Sequence, residues 1–102
     1  MILDQNLLME IVQIILVQKK VAKIVLFGSW ATGTARKTSD IDLAVWGEDL
    51  SSTDVSLIRD RLEEKVRTLL KFDVVHFDTL TKTDLKKDIL TKGVVLYESQ
   101  KN

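Results

Sequence analysis

The chain contains no cysteine and no proline, and its fifteen basic and fifteen acidic residues cancel. Without cysteine there is neither a disulfide framework nor a thiolate metal site. Without proline there is no stiff Pro-rich linker, and no repeat or low-complexity stretch interrupts the sequence. A formal charge of zero disfavours a polynucleotide as main substrate, because nucleic-acid binders carry a basic excess. The longest apolar run of the first helical segment, Ile14 to Val17, falls far short of the roughly 20 residues that span a bilayer. The start, Met1-Ile2-Leu3-Asp4, has no basic region of the kind that opens a secretory leader. These absences lead to the expectation of a cytoplasmic protein that avoids membranes.

What remains is an ordinary balance for a globular protein, 45% hydrophobic and 29% charged residues. At 102 residues the expectation is one small domain over residues 1–102, able to bury a single core with little margin.

Periodicity divides the chain into alternating helices and strands. Residues 4–19 read as a helix with more than one apolar face, carrying Leu7, Leu8, Ile11, Val12, Ile14, Ile15 and Leu16. A helix on a sheet needs a single stripe, so the second face is either buried too or free to dock a partner. Residues 21–27 read as a strand that ends at Gly28. A short helix to about Gly33, a loop over residues 34–39 and a strand over residues 40–46 follow. Ser51 to Asp54 offer N-cap chemistry for a helix reaching about Leu70, with Val55, Ile58, Leu62, Val66 and Leu69 as its core stripe. A strand over residues 72–77, a lysine-rich helix over residues 81–91 capped by Gly93, and a strand over residues 94–97 complete the pattern. The expected fold is α/β (α+β): a mixed sheet of three to four strands packed with helices.

The most informative feature is the spacing Gly28-Ser29, ten residues, Asp40-Ile41-Asp42. A strand alternates its side chains with period two, so Asp40 and Asp42 share a face. Two carboxylates about 5 Å apart repel by roughly 3 kcal/mol at an effective dielectric near 20. An apolar strand gains nothing from such a pair, whereas a divalent cation between them removes the repulsion. Oxygen-only ligands suit Mg²⁺ or Mn²⁺. Gly28 permits a tight exit from the strand and a close backbone approach to a ligand. A helix opening after Ser29, with Ser29 as its capping serine, aims its free N–H groups, and the serine hydroxyl, at an anion. A phosphate cradle beside a magnesium-binding carboxylate pair is equipment for phosphoryl or nucleotidyl transfer.

The string from Phe27 to Leu43 resembles the signature of the polymerase-β-like nucleotidyltransferases, in particular their minimal single-domain branch, the MNT antitoxins found beside HEPN-domain toxins. The likeness extends through Phe72-Asp73-Val74-Val75, where that family places a third carboxylate, to residues 89–98. It implies that Asp40, Asp42 and Asp73 bind two Mg²⁺ ions, with Asp73 acting as base on an acceptor hydroxyl. It implies that Gly28 and Ser29 hold the phosphates of ATP. It implies transfer of AMP to a hydroxyl, a tyrosine of a partner HEPN toxin, within a hetero-oligomer. Larger relatives carry additional domains that bind the acceptor; with no room expected for one here, either a partner completes the site or the acceptor is itself a protein.

Two residues depart from the family pattern: Trp30, where a basic residue is common, and His76, where an acid is common. Arg36 and Lys37 are either replacement contacts to the triphosphate or a solvated loop. His76 reads as a packed or surface histidine rather than a catalytic one. Trp30 and Trp46 read as packing residues, with Trp30 near enough to the turn to touch a base. Lys82, Lys86, Lys87 and Lys92 read as a solvated face or a partner-facing patch. Two rival functions stand beside the main one: a subunit acting on a small molecule, as aminoglycoside-modifying enzymes do, and a non-catalytic antitoxin that masks its partner.

Overall fold

In the computed structural model, which describes residues 2–100, each helix starts or stops where a local interaction dictates. The Asp4 carboxylate accepts a hydrogen bond from the Asn6 N–H at 2.8 Å and caps helix α1 (Gln5–Ile15). The helix ends four residues before the expected position 19. Val17 and Gln18 donate to Ile14 and Ile15, i→i+3 bonds that tighten the last turn and swing Val21 into the core. Of the single unit expected over residues 1–102, residues 1, 101 and 102 lie outside the described ones.

Strand β1 (Lys23–Phe27), helix α2 (Ser29–Thr32), strand β2 (Ile41–Trp46), helix α3 (Ser52–Lys65), strand β3 (Phe72–His76), a 3-10 turn (Phe77–Thr79), helix α4 (Thr83–Lys92) and strand β4 (Val94–Glu98) follow in order. The sheet runs β3-β2-β1-β4. β1 pairs antiparallel with β2 and β4, and β2 pairs parallel with β3, so the expected mixed sheet is realised with four strands.

Alternation along the strands sorts residues onto two faces. Ile24 and Leu26 of β1, Ile41, Leu43 and Val45 of β2, and Phe72 of β3 pack with Ile11 and Ile15 of α1 and with Ile58 and Leu62 of α3. On the other face a smaller cluster joins Val25, Phe27 and Ala44 to Ile89 of α4. Asp42 alternates with Leu43, and Asp73 with Phe72, so both acids belong to this second, thinly covered face.

Helix α3 opens with a capping box in which the Ser51 hydroxyl accepts from the Asp54 N–H and the Asp54 carboxylate accepts from the Ser51 N–H. It closes at Lys65, not at Leu70. Val66 takes an extended backbone and is buried, and the chain must then reverse to enter β3 parallel to β2. Leu69 therefore lies in a loop and is fully exposed, contrary to its expected place in the core stripe. The strand expected over residues 72–77 stops at His76, because Phe77 begins the 3-10 turn.

Gly93 ends α4, as expected, but at φ −70°, not in the left-handed conformation of a glycine cap. Its missing side chain matters for space: a Cβ there would collide with the Ile89 carbonyl oxygen and a Val25 methyl. Gly93→Ala is expected to cost about 1–3 kcal/mol through forced displacement of α4 from β1, read as a lower denaturation midpoint. Among the described residues no helix is long and apolar enough to cross a membrane.

Candidate active site

The β1–β2 register places Asp42 opposite Phe27, the last residue of β1, and the β2–β3 register places Asp73 opposite Asp42. Three adjacent chain segments thus deliver Gly28, Asp42 and Asp73 to one end of one face. Asp40 precedes β2 by one residue, not within it as expected, and it is exposed along with Asp73. Asp42 is half-buried between them.

Gly28 is the N-cap of α2, with φ 74° and ψ −155°, a region open almost only to glycine. The helix expected to open after Ser29 has Ser29 as its first residue and Gly28 as its cap. A Cβ built on Gly28 would overlap the Asp42 carboxylate, so backbone and acid are in direct apposition. The turn faces the acids. The Ser29 hydroxyl forms no hydrogen bond among the described residues.

Electrostatics register the crowding. Partial burial, then the nearby charge of Asp73, then that of Asp40, push the Asp42 carboxyl up to about 6. Among the described residues no group of three or more acids, histidines or cysteines is arranged so that it could hold a metal ion. Mg²⁺ takes one or two carboxylates and completes its shell with water and substrate phosphates. The donor set, all oxygen and open to solvent, fits such an ion.

Trp30 is buried, and its indole N–H donates to the Ser39 carbonyl at 2.8 Å. It ties α2 to the loop that delivers Asp40, and it packs in the core instead of reaching a base. No sequence pattern flagged this positioning role; a lone tryptophan beside a loop carries no period. Lys37 lines a cavity together with Asp40, whereas the Arg36 side chain forms no ion pair or hydrogen bond among the described residues. Trp46 stacks on Phe77 with ring centroids 4.3 Å apart, a packing role as expected. Lys86 is part-buried over the Phe77 ring, while Lys82, Lys87 and Lys92 are exposed and Lys92 pairs with Asp88.

His76 sits at the far end of β3 from Asp73. Its Nε2 is 2.8 Å from the Gly47 carbonyl oxygen and its Nδ1 is 3.2 Å from the Thr79 hydroxyl. Asp78 accepts from the Gly47 N–H, so the group clamps the end of β2 to the 3-10 turn. His76→Ala is expected to lower stability by about 1–2 kcal/mol while leaving the rate at saturating substrate unchanged. Parallel melting and single-turnover measurements check this.

Comparison with known proteins points the same way. Residues 9–102 match the family described as Polymerase beta, Nucleotidyltransferase. The protein adenylyltransferase MntA of Shewanella oneidensis (strain MR-1) is 34% identical over 84 residues, covering 81% of this chain and 58% of that protein. The chain therefore spans little more than half the length of this curated relative. A chain of a toxin–antitoxin crystallised with AMP-PNP superposes with a TM-score of 0.75 at 27% identity, over 96% of this chain and 76% of that one. A chain of the toxin–antitoxin MntA–HpeT carrying two aspartate-to-glutamate changes two positions apart superposes with a TM-score of 0.78 at 26% identity, over the same 96% and 76%.

Proposed function

The chain belongs to the polymerase beta nucleotidyltransferase family, and on that premise we propose that it is a Mg²⁺-dependent protein adenylyltransferase acting as the antitoxin of a HEPN-domain toxin. The observation that carries the proposal is the apposition of Gly28 to the Asp42 carboxylate, with Asp40 and Asp73 close enough to perturb it. Gly28 and Ser29 hold the phosphates of ATP, with α2 presenting its first N–H groups. Asp40, Asp42 and Asp73 hold the two magnesium ions. When bound, the metal neutralises charge on the triphosphate and on the leaving pyrophosphate. Asp73 takes the proton of the acceptor hydroxyl, whose oxygen bonds to the α-phosphorus as the bond from that phosphorus to the bridging oxygen breaks. The chain supplies mainly position and electrostatics. Residues 1–102 act as one unit. Arg36 and Lys37 border the triphosphate from the loop before β2.

The named activity of MntA supports a protein acceptor. The relative crystallised with AMP-PNP supports an adenine nucleotide. The related complex with two altered aspartates has the spacing of Asp40 and Asp42. Exposed Met9, Val94 and Val95 border a groove between α1 and β4, which agrees with a stable partner chain.

Incubation with α-labelled ATP, Mg²⁺ and the HEPN partner tests the reading. Label on a partner tyrosine, with none from γ-labelled ATP, is the expected result. Label on an added aminoglycoside instead would favour a small-molecule acceptor. Loss of toxicity without label, unchanged in Asp42→Ala, would favour masking.

A further inference from the structure

Helix α4 carries a face that neither the core nor the acid site uses. Thr83, Lys86, Lys87, Leu90 and Thr91 recur at the i, i+3, i+4, i+7, i+8 spacing of a single helix stripe. That stripe lines a groove of about 490 Å³, together with Leu80 and Thr81 of the segment before the helix. Neither the Gly28-Ser29 turn nor Asp40, Asp42 or Asp73 lines it. Leu80 packs against the smaller core cluster and Leu90 is 61% exposed, so helix and preceding segment each bring an apolar side chain. The charges are sorted. No carboxylate lines the groove. Asp84, Asp88 and Lys92 fall at i, i+4, i+8 on the neighbouring flank, where Lys92 pairs with Asp88 at 3.8 Å. Lys82, Lys86 and Lys87 pair with no carboxylate among the described residues, and the Lys86 ammonium lies 5.4 Å from the Phe77 ring centroid.

We propose that this groove docks an acidic amphipathic helix of a partner protein, with leucine-type side chains between Leu80 and Leu90 and carboxylates on Lys82, Lys86 and Lys87. Docking there does not depend on the adenylyltransferase reading. Charge complementarity sets the sign of the partner, because the cations lack counter-charges and the groove holds no acid. Apolar groups on both walls call for an apolar stripe beside the partner's acids, as when a helix lies in a groove. α4 has ten residues, so it offers about 15 Å of length, enough for a partner helix of about three turns. The acidic flank disfavours larger polyanions. A phospholipid surface or an RNA backbone spreads its charge across both flanks and presses on Asp84 and Asp88 as well as on the lysines. A single helix keeps its carboxylates on the lysine side.

The test uses the full chain labelled with ¹⁵N and two peptides of about 12 residues with the same glutamate and leucine content. One sets its leucines at i, i+3 and i+7 with glutamates along one flank; the other scrambles that order. The ordered peptide is expected to shift the amides of residues 80–91 and to leave those of Gly28, Asp42 and Asp73 in place. Lys82→Glu combined with Lys87→Glu is expected to weaken it about 10-fold, and Leu90→Gln about 5-fold, both at an unchanged melting temperature. No shifts at millimolar peptide, shifts centred elsewhere, equal affinity for the scrambled peptide, or undiminished affinity in either variant would each overturn the proposal. Phosphatidylserine vesicles or a short RNA oligonucleotide that bound the same lysines more tightly than the ordered peptide would overturn it too, and would assign the face to a membrane or to RNA.

Discussion

Asp42→Asn is expected to abolish AMP transfer and, at the same time, to make the metal-free protein more stable. The loss is expected to be roughly 1000-fold or more in kcat/KM, about 4 kcal/mol of transition-state stabilisation at 1.36 kcal/mol per tenfold. The gain has the opposite origin. In the folded chain the Asp42 carboxyl titrates near 6, raised by partial burial and by the charges of Asp73 and Asp40. Unfolded, it titrates near about 4. The folded state therefore holds its proton more tightly. The associated stability is complete below about pH 4, is lost as pH rises through about 6, and stays lost above that. Asparagine never ionises and escapes the loss. Two pH units would correspond to about 3 kcal/mol, and solvent at a half-open site reduces this to about 1–2 kcal/mol. In a chelating buffer at pH 7.5 the variant should melt about 5–10 °C higher than the parent, and at pH 4 the two should coincide. Equal melting at both pH values would mean that Asp42 is not under the strain that the structure gives it.

Gly28→Ala is expected to damage both fold and activity. Its φ of 74° and ψ of −155° strain any L side chain, and a methyl there occupies the position of the Asp42 carboxylate. The combined cost is about 2–4 kcal/mol, a fall of roughly 10–20 °C in melting temperature. Below the new midpoint, where the variant is folded, transfer should still be lost, because the carboxylate has been moved. Gly33 supplies the control: it too has positive φ, 80°, but a Cβ there meets nothing within 4 Å. Gly33→Ala should cost about 1–2 kcal/mol from backbone strain alone and keep its transfer rate. Equal loss of transfer in both variants would show that backbone strain in general, and not contact with Asp42, is responsible.

The elements that sequence could place are those whose signal is local. The β-branched runs around Ile24 and Leu43, and the serine-aspartate cap at Ser51, mark strands and a helix start within a residue or two. Period two put Asp42 on the face opposite Ile41 and Leu43, and the parallel β2–β3 pairing brings Asp73 to the same face, whereas Asp40 lies one residue before the strand. Helix ends were not legible. Ile14–Val17 and Val66–Leu69 continue an apolar rhythm, yet tertiary packing halts both helices: Val21 and Val66 must reach the core, and the chain must reverse before β3. Leu69 is apolar without being core for this reason. Trp30 and Gly93 illustrate the other limit. Each is explained by a contact with a distant atom, the Ser39 carbonyl and the Val25 methyl, that no window of sequence contains. His76 likewise acts through Gly47 and Thr79 as a clamp.

The account depends on acids from two neighbouring strands joining a glycine-serine turn to hold one metal–nucleotide complex. Electron paramagnetic resonance of Mn²⁺, titrated into the chain with AMP-PNP, reads that joint site directly. The parent should bind Mn²⁺ more tightly with the nucleotide than without it, and Asp40→Asn, Asp42→Asn and Asp73→Asn should each weaken that enhancement. Nucleotide-enhanced Mn²⁺ binding that is unchanged in Asp42→Asn, the acid directly beneath Gly28, would contradict it.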